Sequence, residues 1–152
     1  MLVSETAKAL VRQTTDKFID ISGVPAASSG VFPGEIVFGA GGILDLATPP
    51  RGVQSKVRRA RGYDHVRGGV TSSVSGTIRV LQAWTKGQAI TGAIMLNWAT
   101  TFAAATIVDP VSGLNVVDFF IPVTRELVVV RFTATADLAG EFEMGAFLLP
   151  AS

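Results

Sequence analysis

The chain has 152 residues and a mass of 15.9 kDa, enough for one ordinary domain with a single core and cramped for two. Its 13 Lys+Arg against 12 Asp+Glu leave a net charge of +1, which excludes a globally polycationic nucleic-acid binder or an acidic tail protein. Cysteine is absent, so thiolate nucleophiles, disulfide frameworks, zinc ribbons and iron–sulfur clusters are excluded as well.

The apolar load is high for so short a chain: 48% of residues are hydrophobic, 16% are charged and the mean hydropathy is +0.44. This composition predicts that part of the surface meets other protein. A membrane span is not expected, because Asp109, Asp118 and Arg131 interrupt the longer apolar stretches before they reach about 20 residues. The opening Met1-Leu-Val-Ser-Glu5 has neither the basic nor the long apolar region of a secretory signal.

Residues 1–32 read as an N-terminal arm and linker. Val3, Ala7, Leu10 and Val11 recur at helical spacing behind Ser4, a candidate N-cap, and predict a short amphipathic helix over about residues 4–17. Phe18, Ile19 and Ile21 equally suit an extended arm that packs on a neighbour. The run Gly23–Gly30 has loop composition and no periodicity, which places the boundary there. Leu2, Val3, Leu10, Val11, Phe18 and Ile21 are the candidate assembly residues of this arm.

From Pro33 to the end, short runs with β-type alternation are separated by Gly, Pro, Asn or Asp. The class is therefore all-β. Predicted strands are Glu35–Phe38, Gly42–Leu46, Tyr63–Thr71, Gly76–Trp84, Ala89–Trp98, Thr101–Val108, Asn115–Val123, Glu126–Thr135 and Gly140–Leu149. Asp109-Pro-Val-Ser-Gly113 is the clearest of the intervening turns. Alternation puts Val128, Val130, Phe132 and Ala134 on one buried face, and Phe142, Met144, Ala146 and Leu148 on another. Ile78, Val80 and Trp84 share a third face. Phe147 and Leu149 lie on the outward side with Glu141 and Glu143, so several strands are apolar on both sides, a pattern that marks association surfaces.

Catalytic patterns are missing. The single histidine, His65, adjoins Asp64, but neighbours on a strand point to opposite faces and form no dyad. No G-x-S-x-G elbow accompanies it. The glycine clusters Gly39-Ala-Gly-Gly42 and Gly68-Gly69 fit neither a Walker loop nor a dinucleotide fingerprint, and read as turns or bulges. Without cysteine and with one histidine, only an oxygen-ligand metal site is open to the chain, and Glu141 with Glu143 is too little to make one. No catalytic, cofactor or metal residue is assigned, and an enzyme is not expected.

Two features are left to carry function. Arg51, Lys56, Arg58, Arg59, Arg61 and Arg67, with Asp64 the single acid among them, give net +5 in 17 residues, a candidate contact for an acidic protein partner. Tyr63 alone interleaves them, which argues against nucleic acid as the partner. Trp84 and Trp98 are candidate platforms for a glycan.

Arg61-Gly-Tyr-Asp-His-Val-Arg-Gly-Gly-Val70, Ser75-Gly-Thr-Ile-Arg-Val-Leu-Gln82, Leu127-Val-Val-Val-Arg-Phe-Thr-Ala134 and the closing Gly145-Ala-Phe-Leu-Leu-Pro150 resemble, in that order, the β-sandwich modules of tailed-bacteriophage virion proteins. The resemblance covers about residues 61–150. It departs over Ala83–Ala99, where the family often carries a short polar turn. It implies a jelly-roll-like antiparallel sandwich over residues 33–152, acting without catalysis as a capsid decoration, cement or minor head protein. It also implies a virion location after assembly in the host cytoplasm, and as partners copies of itself, with a trimer as first expectation, and the major capsid protein. A fibre-associated glycan-binding module is the alternative.

Overall fold

The computed structural model describes residues 15–25, 31–32, 35–39, 50–84 and 98–151. Among them every regular element is a strand: β1 (Asp16–Ser22), β2 (Val31–Phe32), β3 (Glu35–Phe38), β4 (Gly52–Gln54), β5 (Arg58–Arg59), β6 (Tyr63–Ser72), β7 (Gly76–Ala83), β8 (Ala99–Ala105), β9 (Ile107–Val108), β10 (Asn115–Pro122), β11 (Leu127–Ala134) and β12 (Phe142–Pro150). Every pairing is antiparallel. Among the described residues no helix is long and apolar enough to cross a membrane.

The strands form two sheets. One runs β1-β12-β6-β10-β9, and the other runs β2-β3-β4-β11-β7-β8 with β5 also paired to β11. Eight strands make the frame once β2, β3, β5 and β9 are set aside as additions. Numbered one to eight along the chain, they lie 1-8-3-6 in one sheet and 2-7-4-5 in the other, the order of a jelly roll. The two sheets face each other as a sandwich.

Alternation explains the core. Val128, Val130 and Phe132 of β11 are fully buried, as are Ala146 and Leu148 of β12, with Met144 and Phe142 nearly so. Phe132 meets Phe142 across the sheets with ring centroids 5.8 Å apart, and Phe102 of β8 meets Phe119 of β10 at 5.9 Å. Burying such a side chain contributes roughly 1.5–3 kcal/mol, so these inward rows hold the sandwich shut. A smaller cluster of Leu81, Ala83, Val129 and Trp98 sits apart from this core, on the outward side of β7 and β11. The expected turn at 109–113 is present: Gly113 takes φ +74°, its N–H reaches the Asp109 carbonyl at 2.8 Å, and the Asp109 carboxylate accepts the Val111 N–H and the Ser112 hydroxyl.

The sandwich does not begin at residue 33. β1 pairs with β12 along Asp16–Ser22 and buries Phe18, Ile19 and Ile21 in the main core. Phe18 and Ile21, assigned to an assembly arm, are therefore core residues of their own chain. The physical reason is that β12, paired with β6 on its other side, would without β1 be a sheet edge. Residues 15–17 are not helical; the rest of the predicted helix, with Leu2, Val3, Leu10 and Val11, lies outside the described residues, as do Gly42–Leu46 and residues 89–97.

Other expectations change in detail. Gly68 and Gly69 make neither a turn nor a bulge but lie inside β6, whose register with β10 runs unbroken through them. A Cβ on Gly68 would strike the Gly145 carbonyl, and one on Gly69 would strike Asp118, so close strand packing requires both. The strand expected over Thr101–Val108 is two, because the chain passes at Thr106 from one sheet to the other. β4 and β5 were not predicted; Ser55 joins them, its Oγ accepting the Val130 N–H at 3.0 Å while its N–H reaches the Val130 carbonyl at 2.8 Å.

Candidate functional site

The register of the five-stranded sheet stacks its outward side chains into three rows. The first runs Lys17, Phe147, Arg67, Phe120 across β1, β12, β6 and β10. The second runs Asp20, Gly145, Gly69, Asp118, and the third Ser22, Glu143, Thr71, Val116. Because the two central positions of the middle row lack side chains, the sheet face is hollow there. The result is an open groove of about 920 Å³ lined by all three rows apart from Val116.

Each bank has its own chemistry. On one side Phe147 and Phe120 present aromatic surface on either flank of Arg67. Phe120 is 60% exposed and its ring is held by His65, which stacks on it with centroids 4.4 Å apart and planes 9° from parallel. Lys17 lies 5.6 Å from the Phe147 ring centroid and forms a 2.8 Å ion pair with Asp20. The opposite bank carries Glu143 and Thr71, with Asp118 closing one end. Among the described residues no three acidic or histidine side chains gather in a way that could hold a metal ion.

The structure divides the basic segment. Arg51 pairs with Asp137 at 2.9 Å, Arg58 with Asp16, and Arg61 with Glu126 at 3.7 Å. Three acids remote in sequence thus offset half of the six cations; the more exposed pairs, Arg51–Asp137 and Arg61–Glu126, add little stability, while Arg58–Asp16 is half-buried. Arg67 belongs to the groove on the other sheet, while Lys56 and Arg59 stay near β5. The six residues do not form one patch.

The two tryptophans separate as well. Trp98 is buried to 7% exposure against Leu81, Ala83 and Val129, which removes it as a glycan platform. Trp84 is 65% exposed, and leaves the face it was expected to share with the buried Ile78 and Val80 because β7 ends at Ala83.

A further exposed region is the sandwich edge made by β8 and β9. Ala99–Val108 contains no charge and no proline. Among the described residues β8 has a partner on one side alone, β7, and β9 pairs just with Asn115 and Val116 of β10. Ile107 and Val108 are 73% and 59% exposed, and Val111 on the adjoining turn is 93% exposed.

On the outer face of the other sheet an arginine is held by an aromatic ring and an amide. The Arg131 guanidinium lies 4.0 Å from the Phe38 ring centroid and donates to Gln54 Oε1 at 3.1 Å. Burial, with Arg79 adding repulsion, pushes Arg131 down to about 10, so it remains protonated at neutral pH.

No family model and no curated protein sequence matches this chain. Among solved structures it is similar to a cleaved adhesin domain of Lys-gingipain from Porphyromonas gingivalis, with a TM-score of 0.45 and 10% identity over 91% of this chain and 98% of that one.

Proposed function

We propose that the chain is a non-enzymatic structural protein of a tailed-bacteriophage virion, a capsid decoration, cement or minor head component, that works by pairing its β8–β9 edge with further copies. One observation carries this reading: the Ala99–Val108 edge has no charge and no proline, exposes Ile107 and Val108, and among the described residues has no covering strand, a bulge at Thr101 being its one guard. Soluble monomers protect such edges with charges, prolines, bulges or covering segments, since the free N–H and C=O groups recruit another strand. Support for the virion setting comes from the ordered resemblance over residues 61–150, whose motifs fall on β6, β7, β11 and β12. The jelly roll agrees with it, recurring in viral capsid domains, although a fold alone assigns no function.

Repeated copies on a shell suit weak individual contacts, because multivalent attachment multiplies them. Sedimentation velocity on the wild type and on the double variant Ala103→Lys, Ala105→Lys tests the reading. Both alanines are exposed on the edge strand, so lysines there leave the core intact while opposing strand addition. The wild type is expected to sediment as an oligomer and the variant as a monomer; a monomeric wild type at all concentrations would overturn the proposal.

A further inference from the structure

We propose that the groove on the outer face of the five-stranded sheet is a binding site for a neutral saccharide. The argument begins at Gly145. Glycine weakens a strand interior, yet the backbone at Gly145 is not in the positive-φ region. A Cβ there would meet nothing closer than the Ile19 carbonyl oxygen and Phe147 Cε2, both at 3.9 Å. Unlike Gly68 and Gly69, then, Gly145 is not demanded by packing. Its missing side chain keeps the floor of the groove open.

The walls fit a sugar. The apolar C–H face of a pyranose ring packs against an aromatic ring, and its rim of hydroxyls needs acceptors and donors in fixed places. Phe147 and Phe120 stand two strands apart, roughly 9.6 Å between their backbones, with the Arg67 guanidinium between them as a donor. Glu143, Asp118 and Thr71 supply acceptors from the other side, and among the described residues none of these three side chains is engaged in an ion pair or hydrogen bond. His65 holds the Phe120 ring in place, so that surface is ordered before a ligand arrives, which lowers the cost of binding.

Charge and topology narrow the ligand. Lys17 and Arg67 against Asp20, Asp118 and Glu143 leave the groove slightly acidic, a poor match for phosphate, sulfate or nucleic acid. An extended peptide adds to a sheet through a free edge, whereas this groove crosses the face of four already paired strands. A hydroxyl-rich neutral ligand satisfies both conditions.

The test uses the full chain against immobilised neutral oligosaccharides of glucose, galactose, mannose and N-acetylglucosamine, followed by calorimetric titration of the tightest binder. Wild type is expected to retain at least one of them. Gly145→Thr, Phe147→Ala and Glu143→Gln should each weaken binding tenfold or more, Gly145→Thr with an unchanged circular dichroism spectrum, while Arg59→Ala and the edge variant Ala103→Lys bind as wild type. Failure of wild type to bind any of the panel overturns the proposal. So does binding confined to sulfated polysaccharide, or a folded Gly145→Thr variant with wild-type affinity.

Discussion

The side-chain oxygen of Gln82 accepts the backbone N–H of Thr124 at 2.8 Å and that of Arg125 at 3.0 Å, while its amide nitrogen donates to the Pro122 carbonyl at 3.1 Å. Gln82 is fully buried and lies on β7 of one sheet, so this single amide ties that sheet to the connection leaving β10 of the other. Gln82→Leu removes the acceptor and strands two backbone donors, each costing roughly 1–3 kcal/mol when it stays buried. Denaturant unfolding should show a lower midpoint with an unchanged slope. A midpoint equal to wild type would mean water replaces the amide.

Ile19 is fully buried on β1 and faces Ala146 of β12. If β1 is a strand of the sandwich, Ile19→Ala should destabilise the monomeric unit by about 2–5 kcal/mol, as for other large-to-small core changes. Deletion of residues 2–22 should then abolish cooperative unfolding rather than merely prevent assembly. A truncated chain with a wild-type melting curve would restore the segment to the role of a detachable arm.

The turn at Asp109 should respond to acid. Its carboxyl is held below the ordinary value of 3.8, first by the Val111 N–H and then by the Ser112 hydroxyl. A depressed folded-state pKa gives stabilisation that is complete above the unfolded value and lost as pH falls through the folded one. NMR at decreasing pH should show the Val111 amide resonance moving below pH 3.8 in wild type and staying fixed in Asp109→Asn. A Val111 shift that is the same in both proteins would contradict the assignment.

Much of the fold could be read in the sequence because period-2 alternation reports burial directly. The inward rows of β11 and β12 were legible because Phe132 lies between Arg131 and Thr133, and Phe142 between Glu141 and Glu143, which fixes the phase that period 2 carries on to Val128 and Leu148. β1 was ambiguous for the same reason it is useful: with Phe18 and Ile19 adjacent, a register shift between Lys17 and Ile19 disrupts the alternation. β4 and β5 are too short to show a period. The groove was not legible at all. It arises from a register that sets Gly145 opposite Gly69, and Asp20 and Asp118 beyond them, residues that are 27 to 125 positions apart across the group. The one local sign was a glycine pair inside a strand, which propensity alone assigns to a turn. The pairing of half the basic segment was hidden likewise, because Asp16 arrives from β1, Glu126 from the turn before β11 and Asp137 from the loop after it.

Hydrogen exchange along β8 tests the central proposal most directly. In an antiparallel edge strand alternate amides bond inward to the neighbour, here β7, while the others point away; apart from the bulge at Thr101 that interrupts the alternation, the outward β8 amides have no strand partner among the described residues. The account predicts slow exchange at all β8 amides in the concentrated wild-type protein, with the outward set becoming fast on dilution and in the Ala103→Lys, Ala105→Lys variant. Fast exchange of the outward set at every concentration of the wild type would contradict it.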